Sequence, residues 1–153
     1  MSHSISALAS IASVVTLLVL TGVHHIFRLG IELTIPTLIA IALAISLWIF
    51  YGRLRKPSLL TAYAVYTALL VFWFGFLDGF LDHVFKASGL DNVTFLPGSE
   101  AEVVATVMQL WSEEASAAFY EGTGIASAVL ALAATLATGA FLYRELTPRP
   151  SAA

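Results

Sequence analysis

The chain has 153 residues, 59% of them hydrophobic and 11% charged, with a formal net charge of −3, and its mean hydropathy is +0.89. That length fits one domain, and the composition lies far from soluble-protein averages, so a lipid bilayer is the expected surrounding of most of the chain. The few charges form no basic surface, which excludes nucleic acid as a partner, and the absence of cysteine excludes disulfides, thiolate metal ligands and thiol nucleophiles.

Four apolar stretches, 5–27, 33–51, 59–84 and 124–143, are each about as long as the roughly 20 residues a helix needs to cross a hydrocarbon core. The leader "MSHSIS" carries no Lys or Arg, and the apolar run after it is too long for a signal-peptide core, so the first stretch is expected to be a permanent helix. The expected fold is all-α: one membrane domain, 1–153, built as a four-helix bundle. Arg53, Arg55 and Lys56 crowd the link between the second and third stretches, and Arg144 and Arg149 follow the fourth. The positive-inside rule then puts both termini in the cytoplasm of a multi-pass plasma-membrane protein.

The link "RLGIELTIP" is short, which makes the first two helices a tight antiparallel pair, whereas 87–123 forms a long external loop. Gly89, Pro97 and Gly98 punctuate its start. Ser99 with Glu102 has capping-box spacing, and Val103, Val107, Leu110 and Trp111 recur at helical steps, so a short amphipathic helix along the outer membrane surface is expected there. Ser112-Glu113-Glu114 signals a second helix start that runs past Glu121 toward the fourth span; whether Gly122 and Gly124 interrupt it is open.

Candidate chemistry concentrates in "WFGFLDGFLDHVFK", Trp73 to Lys86. At about 100° per residue Gly75, Asp78, Gly79, Asp82, His83 and Lys86 share one side of the third helix. A charge at mid-span costs roughly 2.5–3.5 kcal/mol or more, so that side is expected to face the bundle interior. On the first helix Ser6, Ser10, Ser13, Thr21, His24 and Arg28 form a matching stripe flanked by His25, and Glu32 and Glu121 come to the same end. The fourth helix repeats Ser127, Ala131, Thr135 and Gly139, a small-residue ridge suited to packing.

Imidazoles and carboxylates on facing helices are the usual ligands of a bundle metal site. The expected ligands are His24, Asp78, Asp82 and His83, with His25 and Glu121 as further candidates and Arg28, Glu32 and Lys86 as charges near the mouth. Zinc, iron or copper would suit such donors, and haem b held by His24 or His25 together with His83 is a variant. Other readings stand beside the metal site: a proton- or ion-coupled carrier, or an accessory subunit in which the polar cluster only fixes helix packing, alone, as a homo-oligomer or in a membrane complex. Asp78-x-x-x-Asp82 is similar to half of the aspartate motif of membrane CDP-alcohol phosphotransferases, whose other half is absent here.

Gly75, Asp78, Gly79 and His83, within "GFLDGFLDHVFK", resemble the Gly-x-x-Asp-Gly-x-x-x-His pattern of uncharacterised four-helix integral membrane proteins of bacteria and archaea. The resemblance covers about a dozen residues. It implies the four-helix architecture and points to Asp78, Asp82 and His83 without assigning them a reaction.

Overall fold

In the computed structural model, which describes residues 4–147, four long helices make up the bundle, and no strand occurs among the described residues. Helix α1 (Ile5–Leu29) starts where the Ser4 hydroxyl accepts the Ala7 N–H, satisfying one of the donors that a helix start leaves open. It stops at Gly30, whose φ of +120° suits glycine. A 3₁₀ turn, Ile31–Leu33, leads into α2 (Thr34–Leu54). Helix α3 (Pro57–Ala87) opens with proline in its first turn, where no backbone N–H is missed. Helix α4 (Glu113–Leu146) is capped by Ser112, which accepts the Ala115 N–H, with Glu113 and Glu114 beside the positive end of the helix dipole.

All four helices are long and apolar enough to cross a membrane. They extend beyond the expected spans, most of all α4, which passes Gly122 and Gly124 without a break. Its 34 residues give about 51 Å at 1.5 Å per residue, well over a hydrocarbon core of about 30 Å. The first turns of α4 therefore belong to the loop end of the bundle, and the connecting loop is 88–112 rather than 87–123.

Within α3 the winding changes. Pro57–Leu70 is α-helical, Val71–Val84 is a π-helix, and Phe85–Ala87 closes with an α-turn. A π-helix is rare and is frequent at functional sites; this one carries Asp78, Asp82 and His83. Because i→i+5 winding brings residues four and five apart onto one side, the expected polar face survives the change of pitch. Gly75, Gly79, Asp82 and His83 are buried, while Phe72, Trp73, Phe76 and Phe80 are exposed.

Helices α1 and α4 run antiparallel, with Ser10 bonded to Thr138 at 2.8 Å at one end and His24 to Tyr120 at the other. The π-wound half of α3 packs on α4, and α2 lies outside, burying only Ala44 and Tyr51. Small residues let α4 approach its neighbours closely, but not along the ridge expected from sequence. Thr135 and Gly139 are exposed, and the buried line runs Ser127, Ala131, Ala134, Thr138 and Phe141. Four residues turn an α-helix by about 400°, so a strict four-residue repeat drifts off the interface, and alternating three- and four-residue steps stay on it.

Between the ends lies an apolar layer of Val14, Leu17, Leu18, Ala44, Leu70, Ala131 and Ala134. Below it Ser10 bonds Tyr63 at 2.8 Å; above it Thr21 meets Ser127 at 3.4 Å. From Ser10 to Thr21 is roughly 16 Å along the helix axis.

The expected amphipathic loop helix is not formed: Ser99–Trp111 is turns, bends and irregular chain. The reason is visible in its carbonyls. Lys86 Nζ donates to Ser99 O at 2.9 Å and to Ala101 O at 2.6 Å, and the Arg28 guanidinium donates to Pro97 O at 2.7 Å and to Ala105 O. Groups that a helix would bond internally are held by two cations from helix ends. The Met108 N–H donates to Phe27 O, pinning the segment to α1, and Trp111 stacks on Phe27 with ring centroids 6.0 Å apart. Ser99 is buried and caps nothing.

Candidate metal centre

Three side chains from two helices meet at the loop end: His24 from α1, with Asp78 and His83 from the π-helix of α3. One ligand atom from each lies within 4.8 Å of the other two. His24 and His83 are almost wholly buried, at 0% and 1% exposure, and the Asp78 side chain is 14% exposed.

The far side of each ring fixes where its proton sits. His24 Nδ1 lies 3.0 Å from the Tyr120 carbonyl oxygen and 3.1 Å from Thr123 Oγ1. A carbonyl only accepts, so Nδ1 carries the hydrogen and, in the neutral ring, Nε2 carries the lone pair. His83 Nδ1 donates to Glu121 Oε2 at 2.7 Å, which leaves its Nε2 in the same state. His25 repeats the pattern, donating from Nδ1 to Thr21 O at 2.9 Å.

What faces those lone pairs is another acceptor. Asp78 Oδ2 stands 3.7 Å from His24 Nε2, and Asp78 Oδ1 stands 3.9 Å from His25 Nε2, both too far for hydrogen bonds. Among the described residues, His24 Nε2, His83 Nε2 and Asp78 Oδ2 are all buried without a hydrogen-bond partner. Each such group costs about 1–3 kcal/mol if nothing satisfies it. With both rings neutral, His24 Nε2, His83 Nε2 and Asp78 Oδ2 are three acceptors brought close together, beside the equally unpartnered Tyr120 hydroxyl. On a tetrahedral ion with bonds of about 2.1 Å, two ligand atoms stand roughly 3.4 Å apart, close to the 3.7 Å between His24 and Asp78; the widest pair must close by about an ångström more.

Packing holds the rings in place. His24 stacks on Tyr120 with centroids 4.2 Å apart, and His83 sets its edge against both His24, at 4.8 Å, and Tyr120, at 5.0 Å. Gly124 makes the room, since a Cβ there would stand 2.1 Å from the His83 ring. Gly79 brings α3 onto the α4 backbone in the same way: its Cβ would lie 2.8 Å from the Ala128 nitrogen. Tyr120, Thr123 and Gly124 were not singled out as site residues in the sequence, although Tyr120, Thr123 and Ser127 follow at helical steps that put them on one face.

The other candidates take supporting places. Glu121 has both oxygens engaged, by His83 Nδ1 and by Lys86 Nζ at 2.6 Å, so it orients a ligand rather than joining the three. Asp82 is buried but turned to the loop, where Asn92 Nδ2 donates to its Oδ1. His25 flanks Asp78 beside His24, the two imidazole rings in edge contact with centroids 5.0 Å apart. Lys86 and Arg28 clamp the loop, and Glu32 is exposed in the 3₁₀ turn. Arg149 lies outside the described residues.

Comparison with protein-family models, curated proteins and solved structures finds no match for this chain.

Haem b held between His24 and His83 does not fit this arrangement: their imidazoles are in edge-to-face contact at 4.8 Å, and no macrocycle can stand between rings that touch. The donor set instead has the form of outer groups holding metal-binding histidines, a carboxylate on one ring and a backbone carbonyl on the other. Loss of such an outer carboxylate typically weakens metal binding 10–100-fold. Glu121→Gln, which keeps the size and can still accept from His83 Nδ1, is therefore expected to raise the dissociation constant by about tenfold; a chelator competition titration checks it.

Proposed function

We propose that this protein is a membrane-embedded metal protein that binds one divalent transition-metal ion through His24 Nε2, His83 Nε2 and Asp78. The observation that carries the reading is the set of three buried acceptor atoms, aimed at one another and unpartnered, with the protons of both rings held on the far side. Two histidines and one carboxylate suit zinc or non-haem iron(II) and leave at least one coordination position open. An ion held this way can act as a Lewis acid or redox centre on a molecule that reaches the open position.

The basic end of the bundle, with Arg53, Arg55, Lys56 and Arg144, is placed in the cytoplasm under the positive-inside rule. The metal site then opens on the opposite side of the membrane. The carrier reading is disfavoured by the apolar layer of Val14, Leu17, Leu18 and their neighbours, which a proton or ion path would have to cross. The packing-only reading is disfavoured by Asp78, which makes no hydrogen bond to either histidine beside it.

Cobalt(II) titration of the metal-stripped protein in detergent tests the proposal. Ligand-field absorption saturating at one equivalent is expected. Absorption that rises without saturation, as for scattered surface carboxylates, contradicts it.

A further inference from the structure

A cavity of about 140 Å³ lies between His25 of α1, the π-wound part of α3 and loop residues Val93 to Leu96, with Asp78 in its wall. Its polar wall is His25, Asp78, Asp82 and Thr94, and Trp73 and Phe95 flank its outer edge. Those two rings stack at 5.9 Å and are 55% and 65% exposed. His25 Nε2 stands 3.9 Å from Asp78 Oδ1, and its Nδ1 donates to Thr21 O. The other oxygen of the same carboxylate faces His24. A second cavity, of about 160 Å³, also touches His25 but lies between α1 and α2 and has no carboxylate in its wall.

We propose that the carboxylate-lined cavity is the loading route of the metal ion, with His25 and Asp82 as its capture groups and Asp78 as the pivot that passes the ion to His24 and His83. The inference rests on the metal-site reading above. Its physical basis is threefold. A buried site needs an access path, and the apolar layer closes the site from the far end of the bundle. Two carboxylates draw a divalent cation into a low-dielectric channel that would reject an anion, and His25 Nε2 stands beside them. Asp78 is the one residue that belongs both to the cavity wall and to the three-ligand set, so a carboxylate rotation moves the ion between the two sides.

A route differs from a ligand in its kinetics. Narrowing the route slows arrival and departure equally and leaves the dissociation constant alone, whereas removing a ligand speeds departure. Stopped-flow mixing of metal-stripped protein with cobalt(II), followed by chelator chase, separates the two. Leu77→Trp, which fills the cavity from its own wall, and His25→Ala, which removes the capture nitrogen, are expected to slow both uptake and release by about tenfold or more. Stoichiometry stays at one ion, with an unchanged dissociation constant. Unchanged rates in both variants overturn the route. Faster release from His25→Ala at unchanged uptake makes His25 a resident ligand and also overturns it. If the unaltered protein takes up no cobalt, the metal-site reading itself has failed, and the route falls with it. Should Leu77→Trp not fold, His25→Ala alone decides.

Discussion

Asp78→Asn is expected to make the metal-free protein more stable and, at the same time, to remove most of the stabilisation that metal gives the unaltered protein. The two halves of this result follow from one geometry. Without metal, Asp78 Oδ2 is a buried acceptor facing the lone pair of His24 Nε2 at 3.7 Å. An asparagine of the same shape, moved by about half an ångström to reach hydrogen-bond distance, can turn its amide hydrogens toward that nitrogen, converting two unpartnered acceptors into a hydrogen bond and recovering about 1–3 kcal/mol. With metal present, the neutral amide is a poor ligand, and affinity falls. Thermal unfolding in detergent, recorded with and without one equivalent of zinc, reads both effects. A buried ion pair that merely fixes helix register predicts the reverse sign for the first, because breaking it leaves an uncompensated charge.

Gly124→Ala is expected to disable the site from the other side of the ring. The added Cβ would meet His83 Cδ2 at 2.1 Å and Nε2 at 2.6 Å, so the imidazole must leave its place against α4, and its Nδ1 bond to Glu121 goes with it. Overpacking of this kind costs about 1–3 kcal/mol, and loss of the His83 position is expected to weaken metal binding more than the Glu121→Gln change does. Gly122→Ala is the internal control. No atom lies within 4 Å of a Cβ there, and alanine gains about 1 kcal/mol of helix propensity over glycine, so Gly122→Ala should bind metal normally and unfold slightly later. Equal behaviour of the two variants would show that the His83 ring is not set by its contact with α4.

The architecture was legible because each helix announces itself by an apolar run bounded by charges or turn residues, and because polar residues inside such runs are expensive enough to be conspicuous. His24, Asp78 and His83 could be found that way. Their division of labour with Asp82 and Glu121 could not, since it depends on where the second atom of each carboxylate points: Asn92 takes Asp82, and Lys86 with His83 takes Glu121. The π-helix was hidden for a related reason: residues four apart share a face in either winding, so Gly75, Gly79 and His83 align whichever is assumed. The loop misled because Val103, Val107, Leu110 and Trp111 do have helical spacing. That local preference lost to Arg28 and Lys86, which lie distant in sequence and take the Ala105, Ser99 and Ala101 carbonyls the helix would have used.

The claim on which the rest depends is that one metal ion belongs among His24, Asp78 and His83. Elemental mass spectrometry of the untagged protein, purified in detergent without chelator, measures it directly. The account predicts close to one zinc or iron per chain, lost in the Asp78→Asn protein prepared alongside. Absence of any stoichiometric metal in the unaltered protein, or the same metal content in both preparations, would contradict it.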